Sequence, residues 1–478
     1  MLLTDPALKS YLAKRNLNNN NMKYHLIGIG GVGMSGLAKL LIESGNEITG
    51  CDLKKFPISN FQFPNKSQIS KSKFQIYIGH SPNHITKDLD GVIVTVAALH
   101  KSSPAKEEIE TAKKMGVPII RMRQMVNKLM SKPGIVGIAV SGMHGKTTTS
   151  SMIATILEKA GFDPTILIGG EVRNIGTSAK LGSHFAKASR DKQYFIHEAC
   201  EYERQFLDIR PKIAVITNIE EEHLDTYPGG MKDIKQAFKK FIKSLPKDGL
   251  LVVWQEDKNL MPLTKAAKCK VKRVSLNKPW PGLKLKIPGR HVLLDATFAA
   301  RVAHEIGIPS KVIQEALNSY KGAKRRFEIK GTKNGVTIVD DYGHHPTEIK
   351  ATIEAAKEYL NQKPKTKNQK LIVVFQPHQY LRTKMLFKDF VTAFDGVDKL
   401  LITDIYLISG REPKEARADF SKDLAEAIKK RGVDVEYISN SDNYCAIAKR
   451  LKAIAEFGDL VLTLGATDIY KVGEQFLI

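Results

Sequence analysis

Three groups of residues in this sequence have the types and spacing for chemistry on phosphates and carboxylates. The first is Ser141-Gly142-Met143-His144-Gly145-Lys146-Thr147-Thr148. An apolar run over 135–140 leads into it, and an amphipathic helical pattern follows and ends at Gly161. Glycines between a strand and a helix let backbone N–H groups close around phosphate oxygens, and the helix N-terminus adds positive partial charge. Lys146 can reach the outer phosphates, and the Thr147 hydroxyl can ligate Mg²⁺. The expected ligand is ATP or GTP. The usual first glycine of such a loop falls on Val140; the glycine present is Gly142, so the loop is compressed.

The second group follows two further apolar runs. His197-Glu198-Ala199-Cys200-Glu201 comes after 194–196, and Thr217-Asn218-Ile219-Glu220-Glu221-Glu222-His223-Leu224-Asp225 comes after 213–216. Ligands of open parallel sheets gather at the carboxyl ends of strands. Glu198 is placed to share Mg²⁺ with Thr147, an oxygen donor set that suits that ion. His223 can bind a second metal; taken by itself, a satisfied loop histidine is the simpler reading. Asn218, Asp225 and the phosphate loop upstream favour function.

The third group is Lys324-Arg325-Arg326-Phe327-Glu328, then Asp340-Asp341-Tyr342-Gly343-His344-His345-Pro346, then Gln376-Pro377-His378-Gln379-Tyr380-Leu381-Arg382. Arginine suits bidentate contacts to phosphate and carboxylate. The basic residues read as a cationic strip serving ATP. A metal site of His344 and His345 with Asp340 and Asp341 is the lesser alternative.

Strand–helix alternation positions all three groups, which predicts an α/β chain of parallel sheets. Strands are expected at 24–29, 47–50, 75–78, 91–95, 117–121, 135–140, 194–197, 213–217, 250–254, 336–340, 371–375, 399–403, 435–438 and 460–464. Helices are expected at 231–245, 295–306 and 310–320. The first strand runs into Gly28-Ile29-Gly30-Gly31-Val32-Gly33, a GxGxxG pattern, and Asp52 falls where an acidic ribose ligand sits in dinucleotide folds. The alternative is a glycine turn that only packs a helix.

At 478 residues the chain has room for about three domains. The breaks fall at Lys132-Pro133-Gly134 and near Gly322, giving 22–131, 132–322 and 323–478. A leader over 1–21 reads as disordered or helical, and Met22 is a candidate start. The leader lacks a signal-peptide centre, and no apolar run is long enough to span a membrane. Four scattered cysteines without a CxxC argue against disulfides or zinc and suit a reducing cytoplasm. The net charge of +24 raises nucleic acid as a partner. The lysines are spread along the chain, however, and runs such as Lys71–Lys73 and Lys363–Lys367 read as solvated loops. Nucleic acid is therefore the minority reading, and the sequence is silent on oligomeric state.

From Met22 onward the chain resembles the Mur ligase family. The matching stretches are HLIGIGGVGMSGLA (25–38), SGMHGKTTT (141–149), EACEYERQFL (198–207), TNIEEEHLDTY (217–227), GRH (289–291), RRFE (325–328), DDYGHHPTEI (340–349) and FQPHQYLRT (375–383). The resemblance implies a Rossmann-like UDP-binding domain, a central P-loop ATPase domain and a C-terminal Rossmann-like domain that binds the amino acid. It is nearest to members that join L-alanine to the lactyl carboxylate of UDP-N-acetylmuramate through an acyl phosphate, using ATP and two Mg²⁺. Gly30, Gly31, Gly33, Met34 and Ser35, with Asp52, His80 and Thr95, would then hold the UDP part. The 176–180 stretch, with Thr177 and Ser178, looks like the loop that meets the muramyl group. Gly142, His144, Gly145, Lys146, Thr147, Thr148 and Asn218 would hold ATP. Thr147, Glu198 and His223 would be metal ligands. His291 would lie by the adenine, and Arg326 and Asp341 would contact ATP. Tyr342, His344, His345, His378 and Arg382 would line the amino-acid pocket. Lys146, Glu198, His223, Arg326 and His345 would be catalytic, with His223 or the 344–345 pair assisting loss of the amine proton.

Met143, Val292, Asp295, Gln379 and Thr467 depart from the family pattern. Within the family, the rival is a ligase of recycled tripeptide. Folylpolyglutamate-type ligases share the ATPase but not the first domain. Outside catalysis, the rivals are a nucleotide-regulated nucleic-acid binder and a non-catalytic UDP-sugar binder.

Overall fold

A computed structural model describes residues 21–53, 74–100, 103–183, 192–362, 369–408 and 412–478. All of the expected leader except Asn21, and the lysine runs at 71–73 and 363–367, lie outside the described residues. The chain divides into two compact units, Met1–Ser275 with Phe298–Ala316, and Leu276–Thr297 with Leu317–Ile478.

The first unit contains two sheets. Strands β1 (Lys23–Ile27), β2 (Glu47–Asp52), β3 (Phe74–Ile78), β4 (Gly91–Val94) and β5 (Ile119–Arg121) form a parallel sheet in the order β3-β2-β1-β4-β5. This is the strand order of dinucleotide-binding folds up to the fifth strand. Its helices are α1 (Val32–Glu43), α2 (Lys106–Met115) and α3 (Met122–Met130). The central strands are apolar runs because both faces are covered.

The second sheet contains β6 (Ile135–Ser141), β7 (Thr165–Val172), β8 (Thr177–Lys180), β9 (Gln193–Glu198), β10 (Ile213–Ile216), β11 (Leu250–Trp254) and β12 (Lys270–Val274). Their order is β12-β11-β10-β6-β9-β7-β8, and only β8 runs antiparallel to its neighbour. Helices α4 (Lys146–Lys159) and α5 (Met231–Lys243) belong to this sheet, and α6 (Arg290–Glu305) and α7 (Ser310–Asn318) follow along the chain.

One apolar core joins both sheets of this unit: Leu37 and Met125 belong to the same cluster as Phe206, Phe238 and Phe241. Gly36 of α1 lies so close to the second sheet that a Cβ there would stand 2.6 Å from Leu167 and 3.1 Å from Ala179. Lys39 donates to Thr177 Oγ1 at 3.4 Å, and the Leu181 N–H donates to Glu43 at 2.9 Å.

The second unit has one six-stranded sheet. Its strands are β13 (Glu328–Lys333), β14 (Val336–Asp341), β15 (Leu371–Phe375), β16 (Lys399–Ile402), β17 (Val435–Tyr437) and β18 (Leu460–Leu464). The order is β13-β14-β18-β15-β16-β17, parallel except for β13. Helices α8 (Pro346–Asn361), α9 (Tyr380–Met385), α10 (Phe387–Ala393), α11 (Ser421–Lys429), α12 (Cys445–Ile454) and α13 (Tyr470–Leu477) complete it.

Four strands were not expected: β7, β8, β12 and β13. β8 and β12 lie at the ends of their sheet and β13 at the end of the other, where one side of the strand lacks a partner and the sequence (TSAK, KVKRV, EIKGTK) lacks an apolar run. Gly169 and Gly170 interrupt β7. The 176–180 stretch is therefore not a loop. Gly176, at φ +80°, makes the turn, and Thr177 and Ser178 begin β8. Helix α6 begins at Arg290 rather than Asp295, and its first turn already buries Val292.

Phe206 is fully buried, with ring centroids 4.9 Å from Phe238 and 5.1 Å from Phe241. Phe206→Ala is expected to cost about 3–5 kcal/mol in urea unfolding followed by circular dichroism.

Candidate functional site

Strand β6 delivers Ser141 to the mouth of the second sheet, and α4 starts at Lys146. The turn between them needs its glycines. Gly142 has φ +125° and Gly145 φ +80°. A Cβ on Gly142 would stand 2.1 Å from Thr217 Oγ1. The end of β10 fastens this turn. Asn218 Oδ1 accepts from the His144 N–H at 3.1 Å, while its Nδ2 donates to the His144 carbonyl at 3.0 Å. Thr217 Oγ1 donates to the same carbonyl at 2.6 Å. His144 and Asn218, both expected at the nucleotide, thus hold each other and shape the loop. The first N–H groups of α4, at Lys146, Thr147 and Thr148, have no partner within the helix, as at any helix N-terminus, and suit an anion.

The loop's charges are paired with the sheet. Lys146 Nζ donates to the Gly142 and Met143 carbonyls at 2.6 and 2.8 Å and lies 3.1 Å from Glu201 Oε2. Burial works against the Lys146 charge. The Glu201 carboxylate outweighs it and holds the ammonium above the usual lysine range. Burial likewise opposes the Glu201 charge, yet Lys146 and His223 keep that carboxyl below its ordinary range. Thr147 Oγ1 donates to Glu198 Oε2 at 2.8 Å, and so does the Gly169 N–H at 2.8 Å. The expected Thr147–Glu198 pair is therefore assembled.

His223 Nε2 lies 3.2 Å from Glu201 Oε1 and 3.9 Å from Glu222 Oε2. Its backbone is left-handed at φ +54°, and its carbonyl accepts from the N–H groups of Thr226 and Tyr227. Tyr227 in turn donates its hydroxyl to the Glu201 carbonyl at 2.6 Å. Donor atoms of Glu201, Glu222 and His223 lie within 4.8 Å of one another. This set of two carboxylates and an imidazole fits a divalent cation, and carboxylate oxygens suit Mg²⁺. Sequence reasoning gave no role to Glu201 or Glu222, although both stand within three residues of residues it singled out.

Arg123 was also missed. This α3 residue donates to His197 Nε2, and to the Glu198 carbonyl at 3.3 Å. His197 Nδ1 lies 3.0 Å from the Leu167 carbonyl. The ring is thus a neutral Nδ1–H tautomer, and burial drives its pKa well down.

At the first loop, Gly30 donates its N–H to Asp52 Oδ2 at 2.9 Å, and the Gly28 and Ile29 N–H groups donate to the Cys51 carbonyl. Gly31 is the N-cap of α1, and Met34 and Ser35 are buried within that helix. Gly33 is needed for packing: a Cβ there would stand 2.9 Å from Met122 Cε. Thr95 Oγ1 accepts from the Ala98 N–H at 3.3 Å, and His80 pairs with Glu108 at 2.8 Å. Asp52 therefore braces the glycine loop as well as standing at its mouth.

In the second unit a row of polar rings assembles. The Arg326 guanidinium lies 4.9 Å from the Tyr342 ring, and Tyr342 meets His344 edge-on at 5.3 Å. His344 meets His378 at 5.6 Å, and Arg382 Nη1 lies 3.2 Å from His378 Nδ1. Arg325 is spent on Asp340 at 3.0 Å and on the Gly465 carbonyl. Asp341 accepts from the Phe327 and Gly343 N–H groups, both at 2.7 Å, and burial pushes its pKa up to about 6. His345 caps α8, its ring nitrogen accepting from the Thr347 N–H at 3.3 Å. Among the described residues, no metal-ligand cluster unites His344 and His345 with Asp340 and Asp341. His291 is half-buried near Arg326 and Glu348, and desolvation lowers its pKa to about 4.

Residues 23–133 match the Mur ligase family catalytic domain, 140–303 the Mur ligase middle domain, and 325–467 the Mur ligase glutamate ligase domain. A UDP-N-acetylmuramate–L-alanine ligase of Caldanaerobacter subterraneus subsp. tengcongensis is 40% identical, over 95% of this chain and 97% of its own. The chain belongs to the Mur ligase family. A ligase of the same description from Acetivibrio thermocellus is 38% identical to this Mur ligase, over 96% of this chain and 97% of its own. In fold, the Mur ligase resembles the crystal structure of UDP-N-acetylmuramate-alanine ligase from Thermotoga maritima, with a TM-score of 0.73 and 24% identity over 95% of this chain and 98% of that one. The architecture is the three-domain Mur ligase fold.

The departures of this Mur ligase from the family pattern are packed into its structure. Met143, Val292 and Asp295 are buried. Gln379 is the N-cap of α9 at φ +71°, its N–H donating to the Tyr406 carbonyl at 2.9 Å. Thr467 donates its hydroxyl to Gln376.

His291 and Asp341 make stability depend on pH with opposite signs. A histidine whose folded pKa lies below its usual 6.5 costs stability as pH falls from 6.5 toward 4. An aspartate raised from 3.8 to about 6 costs stability as pH rises through 6. Urea midpoints compared between the Mur ligase and His291→Gln isolate the first effect. The variant should lose a destabilisation of about 3 kcal/mol between pH 6.5 and 4, given the shift of His291 to about 4.

Proposed function

We propose that this Mur ligase joins L-alanine to the lactyl carboxylate of UDP-N-acetylmuramate, with conversion of ATP to ADP and phosphate, in peptidoglycan precursor synthesis. The observation that carries the reading is the 40% identity with a ligase of that description over 95% of the chain. A carboxylate oxygen attacks the γ-phosphorus and ADP leaves, giving an acyl phosphate. The amine of alanine attacks the acyl carbon. The tetrahedral adduct loses inorganic phosphate and a proton, and the amide remains.

The first step brings a carboxylate toward a triphosphate, so cations must offset their repulsion. Lys146 supplies a buried charge at the start of α4, and the helix N-terminus adds its dipole. Mg²⁺, two ions in this reading, would be held by Thr147 and Glu198 and by His223 with Glu201 and Glu222, where it would screen phosphate charge. The Thr147–Glu198 bond and the Glu201–Glu222–His223 cluster support those assignments. Gly30, Gly31, Gly33 and Asp52, with His80 and Thr95, would hold the UDP part, and the row from Tyr342 to Arg382 would receive the amino acid.

The domain boundaries follow the same reading: UDP-sugar binding over 22–131, ATP binding over 132–322 and amino-acid binding over 323–478. The reading places the reaction in the cytoplasm, which four unpaired cysteines support. Among the described residues, no helix is long and apolar enough to cross a membrane.

Phosphate release from ATP, with Mg²⁺ and UDP-N-acetylmuramate, tests this when L-alanine, glycine, L-serine and murein tripeptide are supplied in turn. Release is expected with L-alanine and to require the sugar nucleotide. Release only with tripeptide would move the protein to cell-wall recycling, and no release with any acceptor would overturn the reading. Lys146→Met should lower kcat on the order of 10²–10³-fold, while calorimetry finds UDP-sugar binding unchanged.

A further inference from the structure

Beside the first glycine loop lies a cluster that the proposed reaction does not use in full. His25 comes from β1, Cys51 from β2, His84 from the short turn Pro82–His84, and Glu108 from α2. A ring nitrogen each of His25 and His84, Sγ of Cys51 and a carboxylate oxygen of Glu108 lie within 4.8 Å of one another. Glu108 is the centre. Its oxygens lie 2.6 Å from His84 Nδ1, 2.8 Å from His80 Nδ1, 3.3 Å from Cys51 Sγ and 3.9 Å from His25 Nε2, and they accept the Ser81 N–H at 3.1 Å.

A second observation points to a guest. His25 is fully buried, and its Nδ1 lies 2.8 Å from Thr49 Oγ1. Its Nε2, aimed toward Glu108, is a buried atom without a hydrogen-bond partner among the described residues. Leaving such an atom unsatisfied costs free energy that a ligand bond would recover. Tyr77 stacks on His84 with centroids 4.2 Å apart and fixes that ring plane. The side chains of His80 and His84 are about a tenth exposed, which leaves a path from solvent.

We propose that His25 Nε2, Cys51 Sγ, His84 Nδ1 and one Glu108 oxygen form a four-coordinate site for a borderline divalent cation of the zinc and cobalt class. Two imidazoles, a thiolate and a carboxylate suit such ions, whereas Mg²⁺ takes oxygen donors. Binding releases the Cys51 proton to solvent and replaces the contacts of Glu108 with Cys51 and His84. The spacing of the cysteines gave no hint of this site, because its ligands come from four separate elements. The Cys51 carbonyl also accepts the Gly28 and Ile29 N–H groups, so the ion would be tied to the glycine loop through one residue.

The test is Co²⁺ titration of the chelator-treated full chain. One equivalent should give a thiolate-to-cobalt charge-transfer band with intense tetrahedral d–d bands, and Zn²⁺ should bleach both. Cys51→Ser should abolish the charge-transfer band, and Cys200→Ser should keep it. His25→Gln should weaken binding by more than about tenfold. A wild-type chain without the band, or a band that survives Cys51→Ser, overturns the proposal. Should Cys51→Ser fail to fold, X-ray absorption of the Zn²⁺-loaded wild-type chain decides. One sulfur among the neighbours of zinc supports the site, and nitrogen and oxygen alone overturn it.

Discussion

A lysine ammonium inside a protein must have an anion beside it, and Lys146 has Glu201. The desolvation cost of each charge is several kcal/mol, and mutual attraction offsets it only when the geometry is good. The ends of β6, β9 and β10 meet that demand in one place. Glu201 follows β9, Lys146 opens α4 after β6, and His223 follows β10 and contacts the same carboxylate. Tyr227 donates its hydroxyl to the Glu201 carbonyl. The parallel sheet is thus what allows a cation, its counter-ion and two candidate metal donors to share a small volume.

Both glycine loops of the first unit are braced in a similar way. Gly28, Ile29 and Gly30 give their N–H groups to the end of β2, and the 142–145 turn is fastened to Thr217 and Asn218 after β10. A loop that must present backbone N–H groups to an anion loses entropy on ordering, and these bonds meet that cost before any ligand arrives. Residues that look like ligands in the sequence are therefore partly structural: Asn218 uses both ends of its amide on His144.

What could be read from the sequence followed burial. Central strands such as β6, β10, β15 and β18 are apolar on both faces and stood out as short runs. The edge strands β8, β12 and β13 carry lysines and threonines, which periodicity reads as loop. In the site, Lys146, Thr147, Glu198 and His223 were legible because a glycine pattern and strand ends mark them. Arg123 was not, since it reaches His197 across 74 residues of sequence with no local pattern to announce it. His25, Cys51, His84 and Glu108 were hidden for the same reason. The row from Arg326 to Arg382 was named residue by residue, but the diversion of Arg325 to Asp340 depends on a pairing that only the folded sheet creates.

Arg123 has a consequence for how the first unit can move. It sits on α3, among the helices of the first sheet, and its guanidinium ends on His197 and on the carbonyl of Glu198 in the second. A hinge between the two sheets would pull the half-buried Arg123 guanidinium away from His197 and the Glu198 carbonyl. The sheets should therefore travel as one body. Gly33 of the first glycine loop packs against Met122 of α3, next to the Arg123 that reaches the backbone of Glu198. By linkage, whatever factor occupancy of one loop contributes to affinity at the other applies equally in the reverse direction.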